Sequence, residues 1–83
     1  MYNIIFDTKA LDFLEKLEYS LSRRIWNKIM STKGHPLHFF ERLSKREDYK
    51  LRVGDYRVIA EINSNEMTIQ VTIIGHRRNI YKN

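Results

Sequence analysis

The chain has 83 residues, of which 30% are charged, with a formal net charge of +5 and no cysteine. This length supports one domain around one modest core, and the missing cysteines exclude a disulfide framework and any thiolate metal site. No apolar run approaches membrane-spanning length, and the opening residues 1–7 lack the basic region and long apolar stretch of a signal peptide, which fits a cytoplasmic protein. The positive balance points to an acidic partner, either nucleic acid or an acidic protein.

Residues 2–6 form a short apolar strand candidate, and Asp7-Thr8 then reads as a helix N-cap. Ala10, Leu14 and Leu17, with Leu11 and Phe13 beside them, predict a first helix over residues 9–17. Ser20 is placed to cap a second helix over residues 21–32, whose apolar stripe is Leu21, Ile25 and Ile29 with Trp26 on the flank. Arg23, Arg24, Asn27 and Lys28 fall on its other side. Lys33-Gly34 and Pro36 end that helix. A link this short predicts an antiparallel helical hairpin. Residues 35–47 are the least regular, and Leu37, Phe39, Phe40 and Leu43 are expected to pack beneath the sheet edge.

The segment from 49 to 77 reads as a three-stranded antiparallel meander. Gly54-Asp55 suits a two-residue primed turn, which sets Val53 opposite Tyr56, Leu51 opposite Val58 and Tyr49 opposite Ala60. A second turn over residues 63–66 sets Ile62 opposite Met67, Ala60 by Ile69, Val58 by Val71 and Tyr56 by Ile73. Side chains alternate between faces along a strand, so this set makes one apolar face. The helical hairpin is the available cover. The expected fold is therefore a single two-layer α+β domain in the order strand–helix–helix–meander, with the helices on one face of an antiparallel sheet.

The opposite sheet face carries Lys50, Arg52, Arg57, Ile59, Glu61, Thr68, Gln70, Thr72 and Ile74. Arg52 falls directly opposite Arg57, and like charges so paired cost a few tenths of a kcal/mol up to about 1. One reading is a solvated face partly neutralised by Glu61. The preferred reading is a face built to hold a polyanion. His76, Arg77 and Arg78 follow the last strand, with Tyr81 shortly after. Alternation carries His76 to the basic face; Gly75 leaves the direction of Arg77 open.

No metal or cofactor motif accompanies these residues. His35 and His38 lack a third ligand at a suitable spacing, and there is no Ser-His-Asp set or Gly-rich phosphate loop. A cluster of bases suits RNA cleavage by the neighbouring 2′-OH, where guanidinium groups stabilise charge that builds on the phosphoryl oxygens. Lys50 fits the base that takes the 2′-OH proton. Tyr81 or His76 fits the acid for the leaving 5′-oxygen, or a surface on which a base stacks.

The run from Tyr49 through Gly54-Asp55-Tyr56-Arg57, followed by Ile74-Gly-His-Arg77-Arg-Asn-Ile-Tyr81, resembles the RelE/ParE toxin superfamily, and more narrowly RelE-type toxins of toxin–antitoxin pairs. The likeness covers essentially the whole chain. It implies a ribosome-dependent endoribonuclease that cuts mRNA in the ribosomal A site and arrests translation, with no cofactor. It implies Lys50, Arg57, Arg77 and Tyr81 as catalytic residues and Arg52, Lys45, His76 and Arg78 as RNA contacts. Two positions depart from that pattern. Asp48 stands where a second catalytic lysine is expected, with Lys45 as the nearest substitute, and the spacing from Arg77 to Tyr81 is short. The resemblance further implies a RelB-like antitoxin as partner in a hetero-oligomer, the toxin itself being a monomer. The alternatives it leaves are a ParE-like inhibitor of DNA gyrase without catalysis and a weakly active homologue that keeps antitoxin binding.

Overall fold

A computed structural model describes residues 1–43 and 48–80. The elements are β1 (Asn3–Phe6), α1 (Thr8–Lys16), α2 (Tyr19–Ser31), the single-turn α3 (Pro36–Phe39), β2 (Glu41–Arg42), β3 (Asp48–Val53), β4 (Tyr56–Asn63) and β5 (Thr68–His76). The strands form one sheet in the order β1-β5-β4-β3-β2. The expected two-layer α+β arrangement is present, with two refinements. The sheet is mixed, because β1 runs parallel to β5, and β2 adds a short fifth strand beside β3.

Both long helices lay an apolar stripe on the sheet, α1 mainly against β5 and α2 against β3. Ala10 and Leu14 from α1 meet Ile25 and Ile29 from α2 over Leu51, Val53, Val58, Ala60, Ile69, Val71 and Ile74. Full burial of an aliphatic side chain such as Ile25 or Ile69 contributes about 1.5–3 kcal/mol. Phe6 stacks on Trp26 with ring centroids 4.9 Å apart, tying β1 to α2. Thr32 is fully buried, and its hydroxyl donates to the Ile29 carbonyl at 2.7 Å, so the core holds its polar group without an orphan donor.

The helix starts differ from expectation. Asp7 is the N-cap of α1 but makes no side-chain cap; its carboxylate instead accepts from Gln70 Nε2 at 2.8 Å, tying the helix start to β5. Glu18, not Ser20, caps α2, and its carboxylate accepts the Ser20 backbone N–H at 2.7 Å. Phe40 is buried as expected, whereas Leu37 and Phe39 are exposed around α3, because one helical turn cannot point all its apolar side chains inward.

The β3–β4 pairing is as read from the sequence, including Arg52 opposite Arg57. Gly54 has φ +58°, as the first central residue of a II′ turn requires. The β4–β5 pairing is not as read. Ile62 faces Ile69 and Ala60 faces Val71, a shift of two residues that preserves the apolar face. A bulge then follows: Ile59 pairs with Ile73, leaving Thr72 as the extra residue on β5. The Thr72 hydroxyl donates to the Ile59 carbonyl at 3.2 Å and satisfies a group at the interrupted ladder. Past the bulge the faces exchange, so Ile74 is buried at 4% exposure and Ile73 is open at 45%.

Candidate functional site

The sheet positions its basic residues through the Gly54-Asp55 turn. Arg57 is the first outward-facing side chain after that turn, and it folds back over it. Its Nη1 donates to the Gly54 carbonyl at 2.8 Å and to the Tyr56 carbonyl at 2.9 Å. The residue is only 8% exposed, yet among the described residues no buried side-chain nitrogen lacks a partner. Among the described residues Nε and Nη2 of Arg57 have no partner, so neither is fully buried, and that pair is the guanidinium edge that can hold a phosphate or carboxylate with two bonds.

Arg77 approaches the same turn from the end of β5. Its backbone N–H donates to the Asp55 carbonyl at 2.8 Å, and its Nε lies 3.7 Å from the Asp55 carboxylate. Both side chains of that ion pair are more than half exposed, so it is weak and leaves Arg77 able to turn to another anion. From the opposite direction Arg24 of α2 leans over the turn, its guanidinium 3.1 Å from where a Gly54 Cβ would sit. Arg52 stands beside Arg57 across the strands. Four arginines from α2, β3, β4 and the segment after β5 thus stand around one two-residue turn, and its Asp55 pairs with Arg77. Sequence reading missed Arg24. Its helical spacing put it opposite the apolar stripe, but only the packing of α2 over β3 brings that residue against the turn.

Lys50 is half-buried on the same sheet face, but its cross-strand neighbours are Glu41 on β2 and Ile59 on β4. The unforeseen strand β2 thus places a carboxylate residue in register with it. His76 is a clear correction. The Thr72 bulge carries it away from the basic face, and its ring packs edge-on against Tyr56 with centroids 5.3 Å apart; Tyr56 in turn meets Phe13 of α1. Its Nδ1 accepts the Arg78 backbone N–H at 3.1 Å, which leaves Nε2 as the protonated nitrogen of the neutral ring. Arg78 is exposed. Lys45 and Tyr81 lie outside the described residues. Among the described residues no group of three or more His, Asp or Glu side chains is arranged to hold a metal ion, and no helix is long and apolar enough to cross a membrane.

Comparison with known proteins adds the family. Residues 4–81 match the family described as the ParE toxin of type II toxin–antitoxin system, parDE. The chain belongs to this toxin family. No curated protein matches it in sequence. Its fold is similar to that of chains in the RelBE2 toxin–antitoxin complex of Mycobacterium tuberculosis, with a TM-score of 0.83, 23% identity, and 92% of this chain and 98% of the other covered. It is also similar to chains in the RelE–RelB complex of Pyrococcus horikoshii (TM-score 0.80, 22% identity, 94% and 97% covered) and in the intact RelBE complex of Escherichia coli (TM-score 0.78, 19% identity, 92% and 96% covered). At these identities the likeness establishes the shared fold. The chain is therefore a type II toxin of the RelE/ParE superfamily.

Proposed function

We propose that this toxin is a ribosome-dependent endoribonuclease that cleaves mRNA in the A site. The observation that carries the reading is the convergence of Arg24, Arg52, Arg57 and Arg77 on the Gly54-Asp55 turn. A sheet that bears two facing arginines at its exposed end is arranged for phosphate. In the reaction the 2′-oxygen bonds to the adjacent phosphorus while the bond to the 5′-oxygen breaks, giving a 2′,3′-cyclic phosphate and a 5′-hydroxyl. Lys50 takes the 2′-OH proton. Arg57, through Nε and Nη2, and Arg77 stabilise the charge on the phosphoryl oxygens; removing one such donor costs about a hundred- to a thousandfold in rate. Tyr81 supplies the proton to the 5′-oxygen or stacks on the base. Arg52 and Arg78 hold the flanking backbone. His76, packed on Tyr56, orients the residues after β5 rather than touching RNA.

The partner is an antitoxin of the RelB type, as in the complexes of the similar chains. Its acidic residues neutralise the arginine cluster. A second reading has support from the family's own description as ParE: inhibition of DNA gyrase without catalysis. The two separate in parallel assays with the purified toxin. The nuclease reading expects translation to stop in a reconstituted system while gyrase supercoiling proceeds; the reverse result selects the gyrase reading.

A further inference from the structure

We infer that the groove between α2 and the end of β3 is a second anion site, which takes the sugar–phosphate backbone of RNA next to the strand held by Arg57 and Arg77. The inference rests on the RNA reading above. Arg24 and Lys28 are four residues apart on α2 and share one face, with Asn27 and Ser31 beside them. Together with Arg52, Val53 and Gly54 they line an open groove of roughly 520 Å³. Among the described residues no carboxylate lines it. Two like charges at this helical spacing repel, and a third cation from β3 adds to the repulsion, so the arrangement is unfavourable until an anion is present. Lys28 Nζ lies 5.1 Å from the centroid of the exposed Phe39 ring, which holds the ammonium at the groove rim.

The groove also runs into the first site. Arg24 rests against Gly54, and the Gly54 carbonyl is the acceptor for Arg57. Cations that run on from the Arg57 cluster through Arg52 and Arg24 to Lys28 suit a polymer with a phosphate at every step better than a single small anion. The lining favours RNA over an acidic protein segment. Among the described residues Val53 is the single apolar side chain of the lining, with Phe39 at the rim, so the groove offers no row of apolar pockets in which a protein partner would anchor. Phosphate contacts need only cations and hydrogen-bond donors, and Arg24, Lys28, Arg52, Asn27 and Ser31 supply both.

The test compares wild type with Arg24→Gln/Lys28→Gln, with Lys28→Gln alone, and with Arg23→Gln as control. Arg23 sits on the same helix but lies over the Tyr19 ring, outside the groove. The first probe is a short fluorescein-labelled single-stranded RNA carrying 2′-O-methyl groups, which block cleavage, titrated by anisotropy over a range of salt. The second is salt-washed small ribosomal subunits without mRNA. Each single-strand phosphate contact contributes about 0.7 to the slope of log affinity against log salt, so the double variant loses about 1.4. Arg23→Gln keeps the wild-type slope. A loss on the oligonucleotide assigns the groove to the message strand, and a loss confined to the subunits assigns it to ribosomal RNA; either supports the inference. Unchanged slopes on both probes, or an equal loss in Arg23→Gln, overturn it. Should the double variant melt below wild type, Lys28→Gln carries the test alone with a loss of about 0.7, since Lys28 lines the groove and is not one of the arginines at the turn. If wild type binds RNA through this groove yet leaves translated mRNA intact, the nuclease reading fails and the second site stands.

Discussion

The Thr72 bulge decides which side chains reach the basic face, and a pair of neighbouring isoleucines tests it. With unbroken alternation Ile73 would be core and Ile74 exposed. The structure has the opposite: Ile74 is 4% exposed and Ile73 45%. Ile74→Ala removes most of a buried side chain from the contact between β5 and the helices. Such truncations cost about 2–4 kcal/mol, since the cavity left behind closes only in part. A domain of this size shifts its melting temperature by about 4–8 °C per kcal/mol, so Ile74→Ala is expected to melt about 8–32 °C below wild type. Ile73→Ala removes half-exposed surface and should stay within about 0.5 kcal/mol, a shift of under ~4 °C. Circular dichroism melts of the two variants under one buffer make the comparison. A larger loss in Ile73→Ala would refute the bulge, and with it the placement of His76 on the helical face.

Three further outcomes follow from the same geometry. Gly54→Ala forces a Cβ into a left-handed conformation at φ +58° and displaces the Arg24 guanidinium, so the urea midpoint should fall by the equivalent of about 1–2 kcal/mol; an unchanged midpoint contradicts the turn. Arg57→Lys keeps the charge but cannot both bridge the Gly54 and Tyr56 carbonyls and present two donors to phosphate; growth arrest equal to wild type would show that the fork geometry is irrelevant. The side-chain and backbone hydrogen bonds from Ser20 hold the Glu18 carboxyl below its ordinary value of about 4.5. Its stabilising effect is complete above that pH and disappears as pH falls through the lowered folded-state value, so wild type and Glu18→Gln should differ near neutrality and converge in acid; a constant difference in denaturation midpoint across that range contradicts the cap.

The first hairpin was legible because two signals agreed. Gly54-Asp55 fixes the turn, and Leu51, Val53, Tyr56 and Val58 bury together only in the register that this turn sets. The same register exposed the Arg52–Arg57 pair, which is half of the candidate site. The second hairpin offered no such agreement. A shift of two residues leaves Ala60, Ile62, Ile69 and Val71 on the same face, so alternation cannot detect it. Consecutive isoleucines at 73 and 74 let either phase bury one of them, which hid the bulge and misdirected His76. Strand β2 has only two residues, too few to show a period, so the acid beside Lys50 was invisible. Arg24 was seen as a polar helix residue. Its role depends on where α2 crosses the sheet, which is a matter of tertiary packing and not of local pattern.

The proposed function assigns RNA cleavage on the ribosome to the arginines around the Gly54-Asp55 turn. Primer extension on one mRNA in a reconstituted translation system, with wild type and Arg77→Ala, tests it most directly, provided that a ribosome-free lane is run beside them. The expected result is cuts at A-site positions that require ribosomes and weaken by about a hundred- to a thousandfold in the variant. Intact message in every lane, or equal cutting by a folded Arg77→Ala protein, would contradict it.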